Sequence, residues 1–501
     1  LVLPNIIKIS DPVNYRGTPT IYIQVTPWRI IDNQIEVLTS GEISITGDPV
    51  DFPINYHHPY LLNGDKRSLK RELSNDIQYL IICPSQYKNA AESLASMHST
   101  EVIDSMILNT EVIITDSIST NINGMDIRNY ILGRINDDLL DNNLDLKFLL
   151  LFGDENDIPP IFYDGYPSDD FYTLNTLYQG DPQLASGRIP VNTEEDAWTI
   201  VDKIKNYTIH PTSGIWRSKV ALIADDMYQS CSYTLRDTSH TLNSDAIYDS
   251  LNTLLPILPF YGVDYPLRSG CAHPDLTGDL IRTINNGVGL INYIGHGDPE
   301  TWASEKLISK SRDLSLIHPG DNKLAIWIAG TCSFGKYNGE NSFMEALLFK
   351  EDGAIAIVAT TDVIGYTENS NYLKNLFGLS SGSAGIQQFL KGENNLRIGE
   401  LVMQAKNGNY YKFHTFGDPA LRLPFPTISE KIVETPPDSI KLVVEQTISI
   451  LSSNNNSTLL IRENETELAF GDGSLFYTIP GDTYAQMNSD SSEICFRIPI
   501  D

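Results

Sequence analysis

From residue 76 onward the chain alternates short, unbroken apolar runs with amphipathic stretches. "IQYLIICP" precedes "YKNAAESLASMHSTEVIDSMI", "TEVIITD" precedes "GMDIRNYILGRINDDLL", and "LKFLLLFGD" follows. Continuous apolar strands followed by helical stretches predict a parallel sheet covered on both faces, because a strand buried on both sides has no reason to alternate. The same grammar continues through "GRIPV", "SKVALIADD", "LINYIGHG", "KLAIWIAGTC" and "GAIAIVATTD", with a last helix near "NNLRIGELVMQAKNGNYYK". Before residue 76 the texture differs. Runs such as "TIYIQVTPWRI" are cut by Pro, Gly, Asn and Asp, which predicts strands and turns, and β texture returns after "FGDPALRLPFP". Four regions are therefore expected: a β-rich domain over 1–75, two α/β subdomains over 76–215 and 216–425, and a C-terminal β domain over 426–501 whose abrupt end suggests that it is incomplete.

Loops at the carboxyl edge of a parallel sheet face a common crevice, so polar groups directly after apolar runs are candidates for chemistry. Gly153–Asp154, Asp225–Asp226, His296, Cys332 and Thr361–Asp362 all occupy such positions, and one edge carrying all five would form a cleft. His296 and Cys332 stand out. They lie 36 positions apart in "NYIGHGDPETW" and "IAGTCSFG", each among small residues. A thiol becomes a useful nucleophile when a neighbouring imidazole lowers its pKa and later protonates the leaving group. Glycines on both sides of His296 suit a sharp turn and a backbone N–H aimed at an oxyanion. From pattern alone, a cysteine after a buried strand is more often a small apolar filler.

Composition narrows the classes. The chain has 501 residues, 41% of them hydrophobic, and 64 acidic against 35 basic residues give a net charge of −29, which argues against nucleic acid as a partner. No run is long and apolar enough to predict a transmembrane segment. The five cysteines have no CxxC spacing, so neither a disulfide scaffold nor a zinc ribbon is predicted, and at least one thiol is expected to be free. The start "LVLPNIIKIS" has no initiating Met and no charged leader region, which leaves export open. Asp154, Asp157, Asp169 and Asp170 in "GDENDIPP" and "SDDFY" are candidate calcium ligands, weighed against ordinary turn caps. Asp225 and Asp226 read as helix caps or turn residues. Trp302 reads as core packing or a cleft wall, His240 and His273 as surface or core, and His414 as structural.

"INYIGHGDPETWAS" and "IAGTCSFGKYN", followed by "GAIAIVATT" and "FGDPALRL", resemble the catalytic domain of the gingipain family of cysteine peptidases. "FLLLFGDENDIPP", "YPSDDFY" and "ASGRIPV" extend the likeness, in the same order, over about residues 76 to 425. The resemblance implies a caspase-like α/β catalytic domain with β-rich N-terminal and C-terminal domains. It implies His296 as general base, Cys332 as nucleophile, and the backbone N–H groups of Gly297 and Cys332 as the oxyanion hole. The family's histidine-orienting acid falls four positions ahead of the Gly of "GR", where this sequence has Gln183, so orientation by Gln183 or by Asp181 is expected. No cofactor is required on this resemblance, with calcium a structural ion.

"RGTPTIYIQVTPWRI" and "GIWRSKVALIADD" are most similar to one branch of the family, the sortase of the bacterial type IX secretion system. That branch implies an exported protein at the outer membrane or cell surface. Its partners would be the C-terminal signal domains of secreted cargo and other outer-membrane proteins of the system. It would pass a thioester to an amine rather than to water. Two alternatives stand beside it: a secreted protease that hydrolyses, and a weak or inactive surface module that retains the fold, the latter supported by glutamine at 183.

Overall fold

Ten of the apolar runs form the strands of one sheet. The computed structural model describes residues 77–425, apart from 101–106, 141–144, 213, 227–237, 269–271, 321, 340 and 409, together with short strands on either side of that span. In chain order the ten are β1 (Tyr79–Cys83), β2 (Thr110–Ile114), β3 (Phe148–Phe152), β4 (Ala185–Ile189), β5 (Val220–Ala224), β6 (Ile257–Tyr261), β7 (Leu290–Ile294), β8 (Ile326–Gly330), β9 (Ala356–Thr360) and β10 (Phe413–Phe416). Their spatial order is β6-β5-β7-β8-β9-β10-β4-β3-β1-β2. Every residue of β1, β3, β4, β5, β7, β8 and β9 is buried, while the edge strands β2 and β6 are the least covered. That is the pattern unbroken apolar runs demand.

The sheet is not uniformly parallel. β5, β6, β7, β8 and β9 run one way, β1, β2, β3, β4 and β10 run the other, and the antiparallel pairing of β9 with β10 joins the two halves. This corrects the expectation of five polar loops on one edge. Asp225–Asp226, His296, Cys332 and Thr361–Asp362 follow strands of the first half and share an edge. Gly153–Asp154 follows β3, in the reversed half, and lies at the opposite edge.

Helices cover both faces, among them α1 (Lys88–Thr100), α2 (Gly124–Leu140), α3 (Glu194–Ile209), α4 (Ser239–Leu251), α5 (Pro274–Asn286), α6 (Phe343–Phe349), α7 (Tyr366–Phe377) and α8 (Ile398–Lys406). Alternate residues of β1 serve different cores: Tyr79, Ile81 and Cys83 join one, Leu80 and Ile82 the other. Thr193 caps α3, its hydroxyl accepting the Asp196 N–H at 3.1 Å, and Ser342 with Glu345 forms a capping box on α6. Lys203 of α3 is buried and donates to the carbonyls of Leu348, Lys350 and Ala354 at 2.7, 2.7 and 2.8 Å. It thereby satisfies the end of α6, and burial pulls its pKa down to about 7.

Two compact units divide the chain, Leu1–Ser74 and Asn75–Asp501. The first contains short antiparallel pairs, Ile7–Ile9 with Ile23–Val25, Val13–Tyr15 with Thr18–Thr20, and Trp28–Ile31 with Gln34–Val37. Beyond residue 425 lie a four-stranded sheet built on Thr458–Glu463 and the pair Gln446–Leu451 with Ser474–Ile479. Among the described residues, no helix is long and apolar enough to cross a membrane.

Candidate active site

β7 and β8 are neighbouring parallel strands whose last paired residues are Ile294 and Gly330. His296 and Cys332 each lie two residues beyond that pair, so the fold delivers imidazole and thiol to the same height on one sheet edge. The turn after β7 needs its glycines. A Cβ on Gly297 would sit 2.6 Å from the Thr331 hydroxyl and 2.9 Å from the Thr301 carbonyl, and one on Gly295 would collide with the Tyr293 hydroxyl and Asp225. The His296 backbone is pinned on both sides. Its N–H donates to Asp225 Oδ2 at 3.0 Å, and its carbonyl accepts from the Tyr293 hydroxyl at 2.5 Å and the Ala303 N–H at 2.7 Å. Trp302, expected as core or cleft wall, is core: it is fully buried and stacks on Tyr293 with ring centroids 4.4 Å apart.

Cys332 is half-buried, and its Sγ lies 3.5 Å from both the N–H and the carbonyl of Ile364. Ser333 directly after it adopts φ +54°, a left-handed conformation unusual for a residue with a side chain. It is held there by N–H donation to the Asp362 carbonyl and the Thr360 hydroxyl, each at 3.1 Å. A buried amide, Asn369 Nδ2, donates to the Gly330 carbonyl at 2.6 Å. Local strain enforced by surrounding hydrogen bonds is characteristic of functional loops. Cys83 behaves oppositely: it is fully buried and its thiol is pushed up to about 12 by burial. Cys231 and Cys271 lie outside the described residues, and Cys495 falls on the strand Glu493–Ile498, far along the chain from this edge.

The His296 ring meets His240 of α4 edge to face, with centroids 5.6 Å apart. Burial holds its pKa below the ordinary histidine range, opposed by the negative charge of Asp226. A neutral imidazole at neutral pH is the form that can take a proton from a thiol. Asp225 and Asp226, taken from sequence as cap or turn residues, are instead buried beside this histidine. They reach it because β5 pairs directly with β7, level with it in register. His240 and His273, read as surface or core, also belong to this region. Strand order would have been needed to find them, and no local motif encodes it.

Gln183 is not brought to His296. Its amide donates to the Thr173 carbonyl at 3.1 Å, and it precedes β4, four strands away from β7. At the usual strand spacing that is about 19 Å. Asp181 lies on the short strand Gln179–Pro182 just ahead of Gln183. The proposed calcium ligands do not converge either. Both oxygens of Asp169 accept from Arg188 at 2.8 Å, and both oxygens of Asp170 accept from Lys406 at 2.6 Å. Asp154 caps its own turn, accepting from the N–H groups of Asn156 at 2.8 Å and Asp157 at 3.0 Å, while Asp157 faces Gln86. Asp169 and Asp170, already neutralised by Arg188 and Lys406, do not suit a calcium ion. His414 is structural, its Nε2 accepting the Asp169 N–H at 2.9 Å.

A thiol and an imidazole projecting from adjacent parallel strands over a glycine-lined turn form the kind of site cysteine peptidases use. The chain belongs to peptidase family C25, whose model matches residues 72–424, and it is by family a cysteine-type peptidase. Among characterised relatives, Gingipain R2 of Porphyromonas gingivalis strain W83 is 23% identical over 291 residues, 56% of this chain and 36% of that protein. Gingipain R1 of the same species is 24% identical over 51% of this chain and 25% of its own length. The chain therefore spans about a third or less of these relatives. The crystal structure of the Arg-specific cysteine proteinase gingipain R superposes with a TM-score of 0.56 at 17% identity, over 85% of this chain and 99% of that one. That likeness establishes the caspase-like fold. Dimeric latent PorU from P. gingivalis aligns at a TM-score of 0.35 and 15% identity over 84% of this chain and 43% of that one, too slight a likeness to place the chain in that branch.

Proposed function

We propose that Cys332 and His296 carry out acyl transfer on a protein substrate. The Cys332 thiol gives its proton to His296 as Sγ attacks a peptide carbonyl, the N–H groups of Gly297 and Cys332 receive the oxyanion, and the imidazolium protonates the departing amine. A thioester on Cys332 remains, to be resolved by water or by another amine. The equal register of the two residues beyond β7 and β8 carries this reading. The retained-fold, inactive reading loses its support, because Gln183 is engaged with Thr173 away from the histidine.

For the acceptor, we infer transfer to an amine, as in a type IX secretion sortase that cleaves the C-terminal signal domains of exported cargo at the outer membrane. Support comes from the "RGTPTIYIQVTPWRI" and "GIWRSKVALIADD" stretches and from the β strands that precede and follow the catalytic region along the chain. The likeness to gingipain R favours the second reading, plain hydrolysis. Incubating the purified chain with a cargo C-terminal domain and an amine, then weighing the products, separates them. Transfer yields a product heavier than the hydrolysed one by the amine less water, whereas hydrolysis yields only the acid. Cys332→Ala should abolish both products; cleavage surviving that change would remove Cys332 from the chemistry.

A further inference from the structure

Behind the His296 turn, Asp225, Asp226 and Glu305 offer carboxylate oxygens that all lie within 4.8 Å of one another, and each of these residues is at least 97% buried. Three acids in so small a buried volume repel one another and lose their hydration, a cost proteins offset by pairing them or by binding a cation. Among the described residues, no lysine or arginine is paired with Asp225 or Glu305. Glu305 Oε2 has no hydrogen-bond partner there. A fourth group points the same way. His273, at the start of α5, is 2% exposed, neither of its ring nitrogens has a hydrogen-bond partner among the described residues, and its Nε2 lies 3.5 Å from Asp226 Oδ2.

We propose that Asp225, Asp226, Glu305 and His273 form a divalent cation site built into the catalytic edge. Three carboxylates and one imidazole suit a first-row transition ion such as Mn²⁺ or Zn²⁺ better than an all-oxygen calcium cage. Metal–ligand distances of about 2.0 to 2.2 Å require the three carboxylates and His273 to draw in around the ion from these positions. The ion would also fix the histidine turn. Asp225 Oδ2 accepts the His296 N–H at 3.0 Å and Asp225 Oδ1 accepts the Asp226 N–H at 2.8 Å, so a carboxylate anchored on the ion positions the backbone that carries the imidazole. No part of this rests on Cys332 being a nucleophile, and binding can be measured where activity is absent.

The test is a titration of Mn²⁺ into the metal-stripped full chain, followed by the electron paramagnetic resonance signal of free Mn²⁺. Mn²⁺ is the probe because Zn²⁺ would also bind a thiol–imidazole pair. Saturation at a single Mn²⁺ per chain is expected, with affinity falling at least about tenfold in Glu305→Gln and in His273→Gln. Asp154→Asn should leave binding unchanged. Both Gln variants should unfold, without metal, no more readily than the parent, which separates lost ligation from lost folding. Absence of saturable binding, binding indifferent to Glu305→Gln and His273→Gln, or binding lost in Asp154→Asn would each overturn the proposal. Failure here with cleavage still lost in Cys332→Ala would leave the peptidase reading intact.

Discussion

The two halves of the sheet bury the same kinds of charged residue and treat them in opposite ways. In the half containing β4, β3 and β1, every buried acid named here has a committed partner. Asp169 is clamped by Arg188 and also accepts from the Tyr337 hydroxyl at 3.1 Å, Asp170 holds Lys406, and Asp418 accepts from Tyr79 at 2.8 Å and His98 at 2.7 Å. The Arg188 and His98 charges help hold Asp169 and Asp418 below the ordinary carboxylate range, against the upward push of burial. In the half containing β5, β7 and β8, burial pushes Asp225 up to about 8 and Glu305 up to about 6. A buried charge is therefore not by itself a sign of function. What separates Asp169, Asp170 and Asp418 from Asp225 and Glu305 is whether the fold supplies a paired cationic group or leaves it to be supplied, since even in the second half the buried Asp313 is held by Arg312.

The sharpest way to break this contrast is to remove one charge from each half. Arg188→Met strands Asp169 as an uncompensated buried carboxylate and should cost about 3 to 5 kcal/mol. Glu305→Gln removes a charge that no lysine or arginine among the described residues pairs with and, in metal-free protein, should change stability by less than about 1 kcal/mol or increase it. Urea unfolding followed by tryptophan fluorescence measures both. Equal losses would mean that the acids of the catalytic edge are as well compensated as those of the other half.

Titration gives Asp225 and the pair Asp169 and Asp418 opposite signs, while burial raises Asp170 to about 6 even beside Lys406. Asp225 has a folded pKa raised from the ordinary value of 3.8 to about 8, so between those values the native state holds the proton more tightly than the unfolded chain. Its contribution to stability is present in acid and lost as pH rises through that window. Asp169 and Asp418 have lowered values, and their contribution is present above the ordinary carboxylate pKa and lost as pH falls below it. Asp225→Asn should therefore stabilise metal-free protein more at pH 8 than at pH 5, by up to about 4 kcal/mol, since one pKa unit corresponds to about 1.4 kcal/mol and about three units of the Asp225 window lie between those pH values. The hydrogen bonds Asn fails to reproduce are lost at both pH values and cancel in the difference. An equal effect at both values would show that Asp225 is ionised throughout.

Much of this was legible in the sequence, for identifiable reasons. Unbroken runs such as "FLLLF" and "KLAIWIAG" announce strands buried on both faces, and those are β3 and β8. His296 and Cys332 announce themselves through glycine-rich turns directly after such runs. Strand order and direction do not show. The reversal between β9 and β10 rests on the pairing of Thr360 with Phe413 and Ile357 with Phe416, contacts between segments more than 50 residues apart. That reversal sends Asp154 to the far edge, and the pairing of β5 with β7 makes Asp225 a neighbour of His296. The acids at 169 and 170 looked like cation ligands because their partners, Arg188 and Lys406, stand 19 and 236 positions away.

The smallest expected effect concerns Gln183 and bears on how far a motif can be carried from one chain to another. Its position ahead of "GR" matches the place from which a family acid is expected to orient the histidine, yet its amide donates to the Thr173 carbonyl at the edge of a strand in the other half. A residue that far from the imidazole can alter turnover only by loosening its own loop. Gln183→Ala should therefore leave kcat/KM within about twofold, below roughly 0.4 kcal/mol of transition-state stabilisation, with the pH profile of cleavage unmoved. Asp226→Asn removes the charge that opposes the lowering of the His296 pKa, so the acidic limb of that profile should shift to lower pH. Steady-state rates across pH 5 to 9 for both variants decide between the two positions. A loss of a hundredfold or more in Gln183→Ala, with a displaced acidic limb, would return the orienting role to that loop and require the chain to close around it during turnover.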